Sequence, residues 1–277
     1  MRQLALTFLT ALALLACGLA QAQPNPVSCS ATATSVSGTY TPTAALNQTG
    51  NISVTCLRNS GNKNQTLYIG INNGVNGTRN LKRQTGSDLL PYTISKSAGF
   101  WTEGAGGLLV AIDFQVSDLL TLNIPYYFQV AMNYNKPPGT YDDNPMTVTV
   151  RLDSATGTLL TTTSFVPQAT INPSCSLSSP PGTLTLNYTS FSPLPVNNSI
   201  TFDATCTLTT PYTLTLDATS GTLSGINYTL ALSSAASSGT GLAQTYSITG
   251  TAAAGQSGTC AGAMCSTSEQ RTLTITY

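Results

Sequence analysis

A chain of 277 residues has room for one large domain or two small ones, and its 10 Lys and Arg against 10 Asp and Glu leave it without net charge. Charged residues make up only 7%, so no basic face exists to neutralise phosphates, and a nucleic-acid partner is disfavoured. Histidine is absent, which removes the commonest general base, the commonest zinc ligand and the usual partner of a Ser or Cys nucleophile.

From the N-terminus, Arg2, the apolar run from Leu4 to Leu15 and the small-residue site Ala20-Gln21-Ala22 predict a secretory signal peptide over 1–22, with Gln23 as the first mature residue. Leu14-Leu15-Ala16-Cys17 offers a competing reading, in which Cys17 is lipidated. No later segment reaches the roughly 18 apolar residues of a membrane helix.

Removal of Cys17 leaves Cys29, Cys56, Cys175, Cys206, Cys260 and Cys265, an even set in an exported chain, which predicts three disulfides. None has the Cys-x-x-Cys form of a zinc site, and no metal or other cofactor is expected. The pairing expected among the many patterns six cysteines allow is Cys29 with Cys56, Cys175 with Cys206 and Cys260 with Cys265. Closing a loop of about 28 residues stabilises by about 3.6 kcal/mol on the chain-entropy model, and the short last loop by about 2.

The chain then repeats itself. Asn25-Pro26-Val27-Ser28-Cys29 returns as Asn172-Pro173-Ser174-Cys175, and each leads through a Tyr (Tyr40, Tyr188) to an alternating run ending in Thr55-Cys56 or Thr205-Cys206. Further period-two runs follow in the same order: 67–71 and 212–216, 90–94 and 226–230, 146–150 and 272–277. Asn73-Gly74, Asn76-Gly77, Pro138-Gly139 and Pro181-Gly182 are turn signals between them. The expectation is an all-β chain of two immunoglobulin-like sandwiches, 23–168 and 169–277, parted near Ser164 to Ile171.

Residues able to carry function are few. Phe100 and Trp101 sit among Gly99, Gly104, Gly106 and Gly107, and with Leu108 and Leu109 read as a projecting apolar tip; packing between the sheets is the other reading of Trp101. Leu119 and Leu120 are further surface candidates. Asp142 and Asp143 are adjacent, so on a strand they point to opposite faces and cannot share a substrate. Glu103, Asp113 and Asp118 lack the regular spacing of a calcium site. Arg79, Lys82 and Arg83 read as a solvated turn. No catalytic residue is assigned, and an enzyme is not expected.

The early Cys29, the strand ending Thr55-Cys56, Trp101 followed by Gly104, Gly139-Thr140-Tyr141-Asp142-Asp143 ahead of Thr147-Val148-Thr149-Val150, and the closing Leu273-Thr274-Ile275-Thr276-Tyr277 resemble the spore coat protein U domain. The resemblance spans nearly all of 23–277, although the second copy lacks the Trp and adds Cys260 and Cys265. It implies the pilin module of archaic chaperone-usher pili, and a two-domain chain implies the tip adhesin, which mediates surface attachment and biofilm formation. The implied partners are a periplasmic chaperone, an outer-membrane usher, a shaft pilin and a surface or glycan ligand, with export through the periplasm to the cell surface. Only Gln23 to Ser28 precede Cys29, with Pro24 and Pro26 unable to donate ladder bonds, so the chain is expected to accept a strand and not to give one. The second sandwich is expected to lack its last strand, with Leu273, Ile275 and Tyr277 in the donor-strand groove. The alternatives are a secreted coat or matrix protein, and a carbohydrate-binding sandwich outside any fibre.

Overall fold

The computed structural model describes residues 26–97, 99–132 and 135–277; the signal segment 1–22 and Cys17 lie outside them. Among the described residues, apart from one 3-10 turn at Gly104–Gly106, the regular structure is strand throughout. In the first half the strands are β1 (Val27–Ala33), β2 (Val36–Thr39), β3 (Leu46–Arg58), β4 (Asn64–Ile71), β5 (Asn80–Arg83), β6 (Leu89–Pro91) and β7 (Thr93–Ser95). They continue with β8 (Leu108–Asp113), β9 (Leu119–Val130), β10 (Gly139–Asp142), β11 (Met146–Leu152), β12 (Leu159–Phe165) and β13 (Pro167–Ile171). The second half holds β14 (Cys175–Ser179), β15 (Val196–Cys206), β16 (Pro211–Leu216) and β17 (Ser220–Leu223). It ends with β18 (Ile226–Leu232), β19 (Ala236–Ser238), β20 (Ala243–Ala252) and β21 (Leu273–Thr276).

Alternation decides which side of each strand is buried. On β3, Ile52, Val54 and Cys56 are sealed in the core while Ser53 and Thr55 face outward. The first half layers a sheet of order β1-β3-β9-β7 against one of order β12-β11-β4-β8, with a third sheet, β2-β13-β10-β5-β6, closing the side. In the second half, β14-β15-β20-β18-β17 faces the smaller sheet β19-β16-β21. Both halves are thus β-sandwiches, as the repeat predicts. β13 pairs Ile171 with Gly139, so the last strand of the first sandwich runs past the boundary expected at 168.

The disulfides join Cys29 to Cys56, Cys175 to Cys206 and Cys260 to Cys265. The first two staple directly opposed residues, Cys29↔Cys56 in the β1–β3 ladder and Cys175↔Cys206 in the β14–β15 ladder. The repeat therefore extends to register: Val148↔Ile71 between β11 and β4 has its counterpart in Leu273↔Leu216 between β21 and β16.

Candidate functional site

The two sandwiches differ at one edge. In the first, β12 pairs antiparallel with β11, Met146↔Phe165, Val148↔Thr163 and Val150↔Thr161, and lies alongside β1. It closes the sandwich between first and last strands, and Met146, Val148 and Val150 are fully buried behind it. Beyond Val166 the same run crosses to the third sheet, where β13 pairs in parallel with β2, Pro167↔Val36 to Thr170↔Thr39.

In the second sandwich, β21 pairs with β16 on one side, and among the described residues no strand lies on the other. Leu273 and Ile275, at the positions of Val148 and Val150, are only half-buried, as are Cys175 and Leu177 on β14 across the gap. Tyr277 is exposed. The counterpart of β2 is the segment 183–187, whose Leu184 and Leu186 turn inward while Thr183, Thr185 and Asn187 face out. A Cβ at Gly250 would stand 2.5 Å from Leu184 Cδ2, so glycine lets this segment lie directly on β20. Among the described residues the segment belongs to no sheet. Leu273, Ile275, Cys175, Leu177 and the inward Leu184 and Leu186 thus present an apolar groove at this unpaired edge. Such an edge offers backbone donors and acceptors together with apolar sockets, the two things an added strand needs.

Behind the groove, Phe202, Leu214, Tyr212 and Tyr246 form the second core. Tyr212 and Tyr246 are hydrogen-bonded through their hydroxyls, with rings edge-on at 6.3 Å. Burial first, and that hydrogen bond second, push the Tyr212 phenol up to about 12.

The surface candidates are dispersed. Trp101 is 0% exposed and donates from Nε1 to Ile69 O at 2.9 Å, so it belongs to the core and is no surface contact. Leu108 and Leu120 also pack against the core, because alternation on β8 and β9 turns them inward. Phe100, Leu109 and Leu119 are exposed. Phe100 bridges to Ser95 opposite Tyr127, eight positions along β9 from Leu119, about 26 Å away at 3.3 Å per residue. What gathers at Leu119 instead is Leu57, its cross-strand partner, with the wholly exposed Val116 in the adjoining loop. This end is about 36 Å along β9 from Val130, beside the exit to the second sandwich.

The charged candidates are occupied structurally. Asp143 is fully buried and accepts from Val75 N, Asn76 Nδ2 and Tyr92 Oη. Asp118 pairs with Arg58 at 2.6 Å, and Glu103 accepts from Tyr68 and Thr149. Arg79, expected in a solvated turn, is buried and donates from Nη2 to Trp101 O at 2.6 Å; Arg83 meets Asp88 at 3.6 Å. No group of three metal-ligating side chains occurs among the described residues.

Among solved structures, the chain is similar to the CsuC–CsuE chaperone–tip adhesion subunit pre-assembly complex of Acinetobacter baumannii archaic chaperone-usher Csu pili. The TM-score is 0.50 at 14% identity, over 90% of this chain and 99% of that one. At that identity the likeness is one of fold. The CupB6 tip adhesin from Pseudomonas aeruginosa aligns over 91% of this chain and 96% of that one, at 10% identity and a TM-score of 0.39. The CooA pilin subunit of enterotoxigenic Escherichia coli covers 53% of this chain with 99% of its own, at 13% identity and a TM-score of 0.36. No curated protein matches the chain. The Spore Coat Protein U domain model matches residues 11–150, just over half the chain, taking in the Cys29–Cys56 staple, buried Trp101 and most of strand β11. The chain belongs to the Spore Coat Protein U domain family.

Proposed function

We propose that the chain is the tip adhesin subunit of a bacterial chaperone-usher pilus, attaching cells to surfaces in biofilm formation and joined to the shaft by donor-strand complementation. The observation that carries this reading is the single-strand difference between the sandwiches. Residues 159–171 finish the first from within the chain, while the second presents the matching edge of β21 and the matching 183–187 segment without a partner. In this reading the first sandwich, through Ile171, is the adhesin-like unit and the second is the acceptor, into whose groove a shaft pilin inserts a strand antiparallel to β21 and then parallel to 183–187.

A donated strand comes from a different surface of its owner, so the contact is heterologous and propagates a fibre instead of closing a ring. A periplasmic chaperone covers the groove until an outer-membrane usher exchanges it for the shaft subunit, and the chain passes through the periplasm to the cell surface. The exposed cluster of Leu57, Leu119 and Val116, at the end far from the acceptor, is the surface-contact site of this reading. Without histidine, and with Asp143, Asp118 and Glu103 engaged structurally, the role is one of binding. Immunogold labelling tests the placement. Gold at fibre ends is the expected result, and gold along the fibre contradicts it.

A further inference from the structure

One end of the second sandwich carries features that strand exchange does not use. Val196 and Tyr228 both pair with Ala252, so the segments before β15 and β18 and after β20 meet at one pole. Cys175, Cys206 and Ala243 mark the opposite pole, next to the first sandwich. At the far pole the 189–195 loop is bolted to the chain after β20: Phe191 N donates to Gln256 O at 2.8 Å, Gly255 N to Ser192 O at 2.8 Å, and Ser190 Oγ to Ser257 O at 2.7 Å. Gln256 in turn bonds Asn227 through both side-chain atoms.

This framework holds Phe191 71% exposed, Leu194 70% exposed and, within the Cys260–Cys265 loop, Met264 92% exposed. Phe191 has φ +57°, a left-handed conformation that bulky residues avoid and that persists only where surroundings enforce it. Residues 180–195 and 253–268 contain no charged side chain, and the nearest charges, Arg271 and Glu269, neutralise each other at 2.7 Å.

We infer that this pole is a second docking surface, on which the folded body of the strand-donating subunit sits. The inference rests on the donor-strand reading, because topology fixes where that body must be. β12–β13 runs along its groove and leaves the first sandwich at the pole facing the second; a strand inserted in the same sense leaves the second sandwich at the Phe191 pole. Its owner is thereby held against Phe191, Leu194 and Met264. Its facing surface is apolar and uncharged, since nothing at this pole rewards a charge. The Cys260–Cys265 bridge holds the loop that presents Met264.

The test compares two probes against the full chain: the intact shaft pilin from the same fibres, and a peptide of its N-terminal extension alone. The intact pilin is expected to dissociate at least about tenfold more slowly than the peptide, with the excess unchanged between low and high salt. Phe191→Asn combined with Leu194→Ser removes that excess and leaves peptide binding within about twofold, since Asn suits the left-handed backbone and keeps the loop folded. Equal dissociation of pilin and peptide from the native chain, or an excess that survives the double variant, overturns the inference. Failure of the peptide to bind at all overturns the donor-strand reading beneath it.

Discussion

Met146 stands opposite Phe165 in the ladder joining β11 to β12, and both are sealed in the core of the first sandwich. Phe165 also packs its ring on Tyr126, with centroids 4.9 Å apart. The strand that completes the first sandwich is thus anchored by an aromatic in a pocket built from earlier strands, the arrangement that the proposed donor strand would reproduce in the second.

Phe165→Ala is expected to lower the stability of the first sandwich by about 3–5 kcal/mol, the usual range for a buried Phe truncation. Denaturant unfolding reads the loss. A change below about 1 kcal/mol would mean that β12 is dispensable for closing the sandwich.

Trp101 and Phe100 are neighbours with opposite consequences. Trp101→Ser removes a buried ring and the bond to Ile69 O, so the melting temperature falls steeply and less protein is exported. Phe100→Ser, at 68% exposure, shifts stability by no more than about 0.5 kcal/mol. Thermal unfolding of the two single variants separates core from surface.

Leu57→Ser with Leu119→Ser removes the outward pair at the tip of β3 and β9 without touching the core. Attachment to hydrophobic surfaces is expected to fall several-fold while fibre number per cell stays constant. Unchanged attachment would move the contact site elsewhere on the first sandwich.

Alkaline stability has a defined window. Burial raises Tyr141 and Tyr212 from an ordinary 10.0 to about 12, and raises Tyr92 and Tyr126 as well. Between about pH 10 and pH 12 the unfolded chain releases phenolic protons that the folded chain keeps, so stability holds up to about pH 10 and declines above it. Denaturation midpoints measured across this range check it; a decline beginning near neutrality contradicts it.

The repeat and the strands were legible because period-two alternation is a local signal that the ladders preserve, and the three disulfides because an even number of cysteines remains in an exported chain. The fate of Trp101 was not. Its glycine-rich neighbourhood suggests a projecting hairpin, whereas its burial is decided by Ile69, on a strand remote in sequence. Leu57 was missed for the same reason: it meets Leu119 only through the long β3–β9 register, which leaves no trace near either residue. Arg79 reads as solvated beside Lys82 and Arg83, yet a left-handed backbone at φ +56° turns it inward to cap Trp101 O. Leu273 and Ile275, the residues of the proposed groove, lie in a strand whose counterpart in the first repeat is covered by β12.

The central claim is that the second sandwich awaits a strand from another chain. The direct test is thermal unfolding of the full chain, alone and with a peptide of the shaft pilin's N-terminal extension. Alone, the account predicts two transitions, a low one for the open second sandwich and a higher one for the closed first. The peptide should raise only the lower, by at least about 10 °C, as filling the groove adds backbone bonds and buried apolar contacts. A single high transition that the peptide leaves unmoved would contradict the account.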